Sequence, residues 1–223
     1  MRIVASNETL PLVIKFKVWG ALRFLSHAET LRLLQRACVR AGIDVRYSQG
    51  FNPRPKLSLP LPRPVGVESD DEVLCLSVRR RPGGASPTLH EVAAGLSAQL
   101  PEGCELLGVS VARSSRSILP RAATYVLPAR REHLDDALKS RIDTLLGSES
   151  LLIQRRTGAK GRRSKNIDVR PFLASIEMTG QGIIVECRIS SAGSIRVEEV
   201  MSLLELDQNM LAGPIRRTSV RWQ

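Results

Sequence analysis

The sequence predicts an α+β protein made of two similarly organised halves, each reading strand–helix–strand–strand–helix–strand. Three observations carry that expectation. Leu12, Ile14, Phe16 and Val18 alternate with Val13, Lys15, Lys17 and Trp19, the period-two pattern of a half-buried strand. Ser26-His27-Ala28-Glu29 matches the S-x-x-E capping box, and Leu31, Leu34, Cys38 and Ala41 follow at helical spacing. The same order of elements then recurs in the second half of the 223 residues.

The helix opened by Ser26 is expected to stop at Gly42, since glycine takes the left-handed conformation that ends helices. Ile43–Tyr47 and Val73–Val78 read as strands, separated by an excursion of roughly 25 residues, long for such a connection. Ser86-Pro87 is a good cap and first-turn pair for a second helix, whose buried stripe is Leu89, Val92, Ala93, Leu96 and Leu100. Pro101 and Gly103 end it before a strand from Cys104 to Val111. In the second half, Tyr125–Leu127, Leu151–Ile153, Ile183–Ile189 and Ile215–Trp222 read as strands. Leu134, Leu138, Ile142 and Leu145 mark one helix, and Val197, Val200, Met201 and Leu204 another. The domains expected are 1–112 and 124–223, joined by a basic linker at 113–123. Split βαβ units of this order build ferredoxin-like sandwiches, so the expected fold is two tandem ferredoxin-like (βαββαβ) sandwiches with long excursions between their second and third strands.

That topology predicts where loops meet. The first and second strands of a split βαβ unit are parallel, so Gly20–His27 and the excursion beginning at Ser48 should share one sheet edge. On that basis Arg23 and His27 are expected beside Phe51 and Asn52. By the same logic Pro128–Arg131 should meet the loop after Arg156.

Composition narrows the class of partner. Lys and Arg number 33 against 22 Asp and Glu, a formal charge of +11 that favours polyanions. With 43% hydrophobic and 25% charged residues the chain is globular in composition and not wholly disordered. No apolar run approaches the roughly 20 residues needed to cross a bilayer. The N-terminal residues lack the pattern of a secretory signal. The four cysteines (Cys38, Cys75, Cys104 and Cys187) form no C-x-x-C pair and stand at no zinc-ligand spacing from a histidine. They read as small core residues in a reducing compartment, so a cytoplasmic location without membrane attachment is expected, and no metal or cofactor in this chain.

The most distinctive stretch is Tyr47-Ser48-Gln49-Gly50-Phe51-Asn52-Pro53-Arg54-Pro55-Lys56. Its prolines, glycine and asparagine specify a semi-rigid loop. Phe51 and Tyr47 beside Arg54 and Lys56 suit stacking on bases with phosphate contact, and Gln49 and Asn52 suit reading of base edges. The plainer reading is that Phe51 plugs the core. Arg32, Arg36 and Arg40 recur every four residues on one helix face, either a solvated face or a phosphate-tracking stripe. The densest charge is Arg155-Arg156-Thr157-Gly158-Ala159-Lys160-Gly161-Arg162-Arg163-Ser164-Lys165, with six cations in eleven residues and no acid. Phosphate contacts from such a loop would be strongly salt-dependent and blind to sequence. Asp168 and Arg170 follow on alternate positions and would salt-bridge or share a ligand. His27, at a helix N-terminus, either shapes the turn or takes part in chemistry.

These segments are similar to the radical-SAM-linked protein family. The resemblance rests on Arg23-Phe24-Leu25-Ser26-His27, the helix with Arg36 and Arg40, Tyr47-Ser48-Gln49-Gly50-Phe51-Asn52-Pro53, Pro55-Lys56-Leu57-Ser58, Gly66-Val67-Glu68-Ser69 and Lys165-Asn166-Ile167-Asp168-Val169-Arg170-Pro171. Members are fused to, or encoded beside, radical SAM enzymes, often near RNA-processing genes. The resemblance thus implies a radical SAM protein as partner, carrying the iron–sulfur cluster and S-adenosylmethionine, with RNA as a further partner. Two positions depart from the family pattern: Ala28-Glu29 stands for Leu-Asp, and Arg54 stands for a histidine between the prolines. The function expected is an accessory RNA-binding module that presents substrate to the radical SAM enzyme. One rival is a metal-independent endoribonuclease using His27, because tandem ferredoxin-like halves resemble CRISPR repeat-processing endonucleases. Only Gly213-Pro214 stands where those enzymes carry a glycine-rich loop. Another rival is a scaffold that binds the radical SAM protein alone.

Overall fold

The computed structural model describes residues 9–79, 88–112, 118–157 and 163–223. The architecture is α+β, with mostly antiparallel strands and four α-helices among the described residues. The chain divides into two compact units, Met1–Leu119 and Pro120–Gln223. The cut falls inside the stretch expected as linker: 113–117 lie outside the described residues, while Pro120–Ala123 are already strand.

In the first unit the elements are β1 (Thr9–Val18), α1 (His27–Arg40), β2 (Leu57–Ser58), β3 (Glu68–Arg79), α2 (Leu89–Ser97) and β4 (Cys104–Val111). β1 is central. It pairs antiparallel with β3, from Thr9↔Arg79 to Val18↔Ser69, and on its other side with β4. Leu12, Ile14, Phe16 and Val18 point to one face and pack with Leu34, Ala37 and Cys38 of α1 and with Val92 and Leu96 of α2. Each such side chain contributes about 1.5–3 kcal/mol on burial. The cap of α1 forms as expected, with Ser26 Oγ accepting from Glu29 N–H and Glu29 accepting from Ser26 N–H at 2.8 Å. Its end is a Schellman motif: Ile43 N–H donates to Cys38 O and Gly42 N–H to Val39 O, with Gly42 at φ +66°. Ser86-Pro87 lies outside the described residues, and α2 is capped instead by Thr88 with Glu91.

The expected strand Ile43–Tyr47 is not continuous. Val45 bridges Val78, and Arg46 N–H donates to Ser77 O. The edge then resumes only at β2, where Leu57 faces Leu76 and Ser58 faces Cys75. Residues 47–56 are everted between these two pieces. Pro53 and Pro55 have no N–H to give a ladder, which is why the edge opens there.

The second unit contains β5 (Pro120–Leu127), α3 (Asp136–Gly147), β6 (Leu152–Thr157), β7 (Arg163–Asp168), β8 (Leu173–Thr179), β9 (Gly182–Ser190), β10 (Gly193–Ser194), α4 (Val197–Leu203) and β11 (Arg216–Trp222). Its sheet runs β11-β5-β9-β8, all antiparallel, and β10 turns back to pair antiparallel with the end of β9. The expected sheet strand at Leu151–Ile153 belongs elsewhere, because β6 pairs with β7 in a separate hairpin. β6 and β7 are mostly polar and Leu152 is exposed, whereas β8 buries Leu173 and Ile176. The second edge position therefore goes to β8.

Candidate ligand-binding surfaces

The 47–56 loop is a small hairpin closed at its base. Tyr47 bridges Pro55, Lys56 N–H donates to Arg46 O at 2.7 Å, and Ser48 N–H donates to Arg54 O at 2.7 Å. Arg54 N–H donates to Ser48 Oγ at 2.9 Å. Gly50, at φ +154°, supplies a turn that a side chain would strain. Phe51 is fully exposed, so it does not plug the core. Gln49, Asn52, Arg54 and Lys56 of the same loop are also exposed, and Tyr47 is half-buried. Among the described residues the Arg54 guanidinium and the Lys56 ammonium have no hydrogen-bond or ion-pair partner.

The shared edge does not form from the residues expected. The base of the loop sits beside Ser77, whereas Val18, which leads into Gly20–His27, lies opposite Ser69. Eight residues of β3 separate the two levels, roughly 26 Å at about 3.3 Å per residue. His27 opens α1, and the loop follows the end of that same 14-residue helix. What meets the Gly20–Leu25 turn is the far part of the excursion. Gly66 N–H donates to Arg23 O at 2.8 Å, and Glu68 Oε1 accepts from Gly20 N–H at 2.9 Å. Buried Arg63 donates to the carbonyls of Leu22, Arg23, Leu25, Pro64 and Val67. Hydrogen bonds thus tie the Gly20–Leu25 turn to Arg63–Glu68. Arg63 was not among the candidates; an arginine in a proline-rich run gives no sign that its partners are carbonyls some 40 residues earlier.

Around that turn lies a second surface, also missed. Trp19, Phe24 and Val65 are exposed, Lys17 stands over the Trp19 ring at 5.3 Å, and Arg23 stands over Phe24 at 4.4 Å. Both cations face carboxylates, Lys17 with Glu105 at 2.6 Å and Arg23 with Glu68 at 4.0 Å. Gly103, at φ +86°, holds Trp19 in place: its carbonyl accepts from Trp19 N–H, and a Cβ there would lie 2.7 Å from Trp19 O. His27 is exposed and has no hydrogen-bond partner among the described residues.

On the arginine face of α1, Arg36 is exposed without a partner among the described residues, but Arg40 donates to the Gln99 side chain at 3.0 Å and to Gln99 O at 2.8 Å. The basic stretch of the second unit divides. Arg155 makes a two-pronged ion pair with Glu199, at 2.8 and 2.6 Å, and donates to Ser194 O, so it ties the hairpin to α4. Arg156 and Arg163 contribute backbone to the hairpin, Lys165 is exposed, and Lys160 and Arg162 lie outside the described residues. Asp168 and Arg170 are not paired side chain to side chain. Asp168 accepts from the N–H groups of Leu151 and Arg170, at 2.8 and 3.0 Å, which hold its carboxyl below the usual range. Arg170 donates to the carbonyls of Leu146, Ser148 and Leu173 and so caps the end of α3. Pro128–Arg131 meets Met210–Ala212, where Arg130 N–H donates to Met210 O and Ala212 N–H to Pro128 O; the loop after Arg156, at 158–162, lies outside the described residues.

Burial pushes the thiols up, to about 11 at Cys38 and about 12 at Cys104 and Cys187; Cys75 is half-buried and also raised. Among the described residues no cluster of three or more His, Cys, Asp and Glu could hold a metal. No helix among them is long and apolar enough to cross a membrane.

Two solved structures are similar in part. A protein of unknown function from Galdieria sulphuraria is 13% identical over 89% of this chain and 91% of its own, with a TM-score of 0.24. The acetolactate synthase small subunit from Thermotoga maritima is 10% identical over 96% and 95%, with a TM-score of 0.28. Likeness at that level carries no functional argument. No curated protein matches the chain. Residues 12–203 match a family described as uncharacterized protein conserved in bacteria (DUF2344), and the chain belongs to that family.

Proposed function

We infer that the protein is an accessory RNA-binding module that presents RNA to a partner radical SAM enzyme, the iron–sulfur cluster and S-adenosylmethionine belonging to that partner. The observation that carries the RNA half is Phe51. An aromatic ring forgoes about 1.5–3 kcal/mol when left in water, yet a proline-stiffened loop that also carries exposed Arg54 and Lys56 leaves this one fully exposed. An exposed ring on a loop that also presents two cationic side chains suits a stacked base and its phosphates. Net charge of +11 supports the same partner.

The other half is supported by the Trp19–Phe24–Val65 surface. Its cations are matched by Glu105 and Glu68, so it is apolar and nearly neutral, suited to a protein surface rather than a polyanion. The two surfaces lie towards opposite levels of the first unit's sheet. The strand orders β4-β1-β3-β2 and β11-β5-β9-β8 support a ferredoxin-like sandwich in each unit. Four free thiols support a cytoplasmic setting.

Fluorescence anisotropy with a labelled single-stranded RNA tests the reading. Phe51→Ala should weaken binding by about 1–3 kcal/mol, the range for one stacked base, without lowering the melting temperature. Equal affinity of variant and wild type would remove the loop from the RNA site. The rival reading is a metal-independent endoribonuclease using His27, whereas an accessory module has no cleavage chemistry of its own. Purified protein should therefore leave structured RNA intact in EDTA; specific cleavage that disappears in His27→Ala would overturn the accessory reading.

A further inference from the structure

Among the described residues the helices of the first unit pack on one face of its sheet. On the other face Pro11 pairs across the register with Ser77, and Val13 with Cys75, and all four are half-buried. They border a cavity of about 460 Å³ whose walls are completed by the edge strand from Lys56 to Pro60 and by Ala112, Ile118 and Leu119. That volume is within the range of sites for one small organic ligand, roughly 300–1,000 Å³.

We propose that this cavity receives a single unstacked nucleobase of the bound RNA, with Lys56 on its phosphate; the proposal rests on the RNA-binding reading above. The lining has the chemistry of a base site. Val13, Leu57, Pro60 and Leu119 give apolar walls for the flat faces of a ring. The Ser58 and Ser77 hydroxyls, which have no hydrogen-bond partner among the described residues, are available for its polar edge. Lys56, exposed and with its ammonium unpartnered among those residues, supplies the cation at the rim. It also closes the base of the loop that carries Phe51, so ring platform and cavity belong to one stretch of chain. A purely aliphatic ligand would leave two hydroxyls and an ammonium unanswered, and a bare phosphate would leave the apolar walls unused. Unstacking a base is least costly in single strands, loops and bulges, which makes those the RNA class taken.

Cys75 provides the readout. It lines the cavity and is half-buried, whereas Cys38, Cys104 and Cys187 are buried. Full-length protein would be alkylated with iodoacetamide at mildly alkaline pH, and Cys75 modification followed by peptide mass. AMP, GMP, CMP or UMP should slow modification of Cys75 several-fold; ribose 5-phosphate and inorganic phosphate should not. Ser77→Ala, which preserves the fold, and Val13→Trp, which fills the space, should both abolish that protection. Single-stranded RNA should protect as well, and alkylated protein should bind it about tenfold more weakly with an unchanged salt slope. RNA binding with no protection of Cys75 by RNA or by any of the four nucleotides overturns the base site and leaves the RNA reading standing. Nucleotide protection without RNA binding keeps the cavity as a nucleotide site and overturns the RNA reading. Protection by ribose 5-phosphate equal to that by AMP also overturns the base site.

Discussion

The Arg63 guanidinium donates to the Arg23 carbonyl at 2.7 Å and, through the same nitrogen, to Val67 O at 2.6 Å. One buried side chain thereby ties the turn after β1 to the chain entering β3. The planar fork matters, since its second nitrogen reaches Leu22 O and Leu25 O at 3.0 and 3.3 Å.

Arg63→Met should therefore be among the most damaging substitutions in the first unit. Losing a buried charge with its hydrogen-bonded partners costs about 3–5 kcal/mol, because the carbonyls are left unanswered. Arg63→Lys should recover only part, a point charge being unable to serve two directions at once. Urea unfolding measures both; a Lys variant as stable as wild type would show that charge, and not the fork, is what the site uses.

Acid should loosen the second unit through Asp168. Its carboxyl is held below the usual range, first by Leu151 N–H and then by Arg170 N–H. A group with a depressed folded value stabilises above its unfolded pKa of about 3.9, and that contribution fades as pH falls through the folded value. The cap carboxylates Glu29 and Glu91 are lowered too, chiefly by bonds from Ser26 and Thr88, and act with the same sign. Asp168→Asn should be less stable than wild type at pH 7, and the gap should narrow below about pH 4. Thermal melts from pH 7 to pH 3 check this. A gap that stays constant would mean that the Asp168 charge adds nothing to the bonds it accepts.

Local signals were legible in the sequence and long-range ones were not. The Ser26–Glu29 cap and the Gly42 stop depend on residues within a few positions, and both form. Thr88-x-x-Glu91 is an equally readable cap, masked by the Ser86-Pro87 pair just before it. β8 escaped because its buried residues, Leu173 and Ile176, are three apart: the register shifts between Leu173 and Ser175, breaking the period of two. The misplaced Phe51 loop has another cause. Parallel strands do end at one edge, but the edge strand had not ended at Tyr47; it resumed at Leu57, so the loop is everted partway along it. Among the basic residues the charges were legible but their partners were not, and Arg40, Arg155 and Arg170 proved to be holding other parts of the protein.

That last distinction separates two kinds of arginine and lysine within one basic stretch. Arg155 is committed to Glu199 and Ser194 O, whereas Lys165, its cross-strand partner in the hairpin, is exposed. Arg155→Ala should lower stability, because Glu199 would keep its partly buried charge without its ion-pair partner. It should leave the dependence of RNA affinity on salt unchanged. Replacing Arg162, Arg163 and Lys165 together by Ala should do the reverse, keeping the melting temperature and reducing the slope of log affinity against log salt. Each phosphate no longer neutralised by a cation reduces that slope by about 0.7–0.9, so removing all three cations should change it by about 2–3. Anisotropy titrations over a range of salt, beside melts of both variants, read the two effects independently. A triple variant with the wild-type slope would take this hairpin out of the RNA site and leave the Phe51 loop as its candidate.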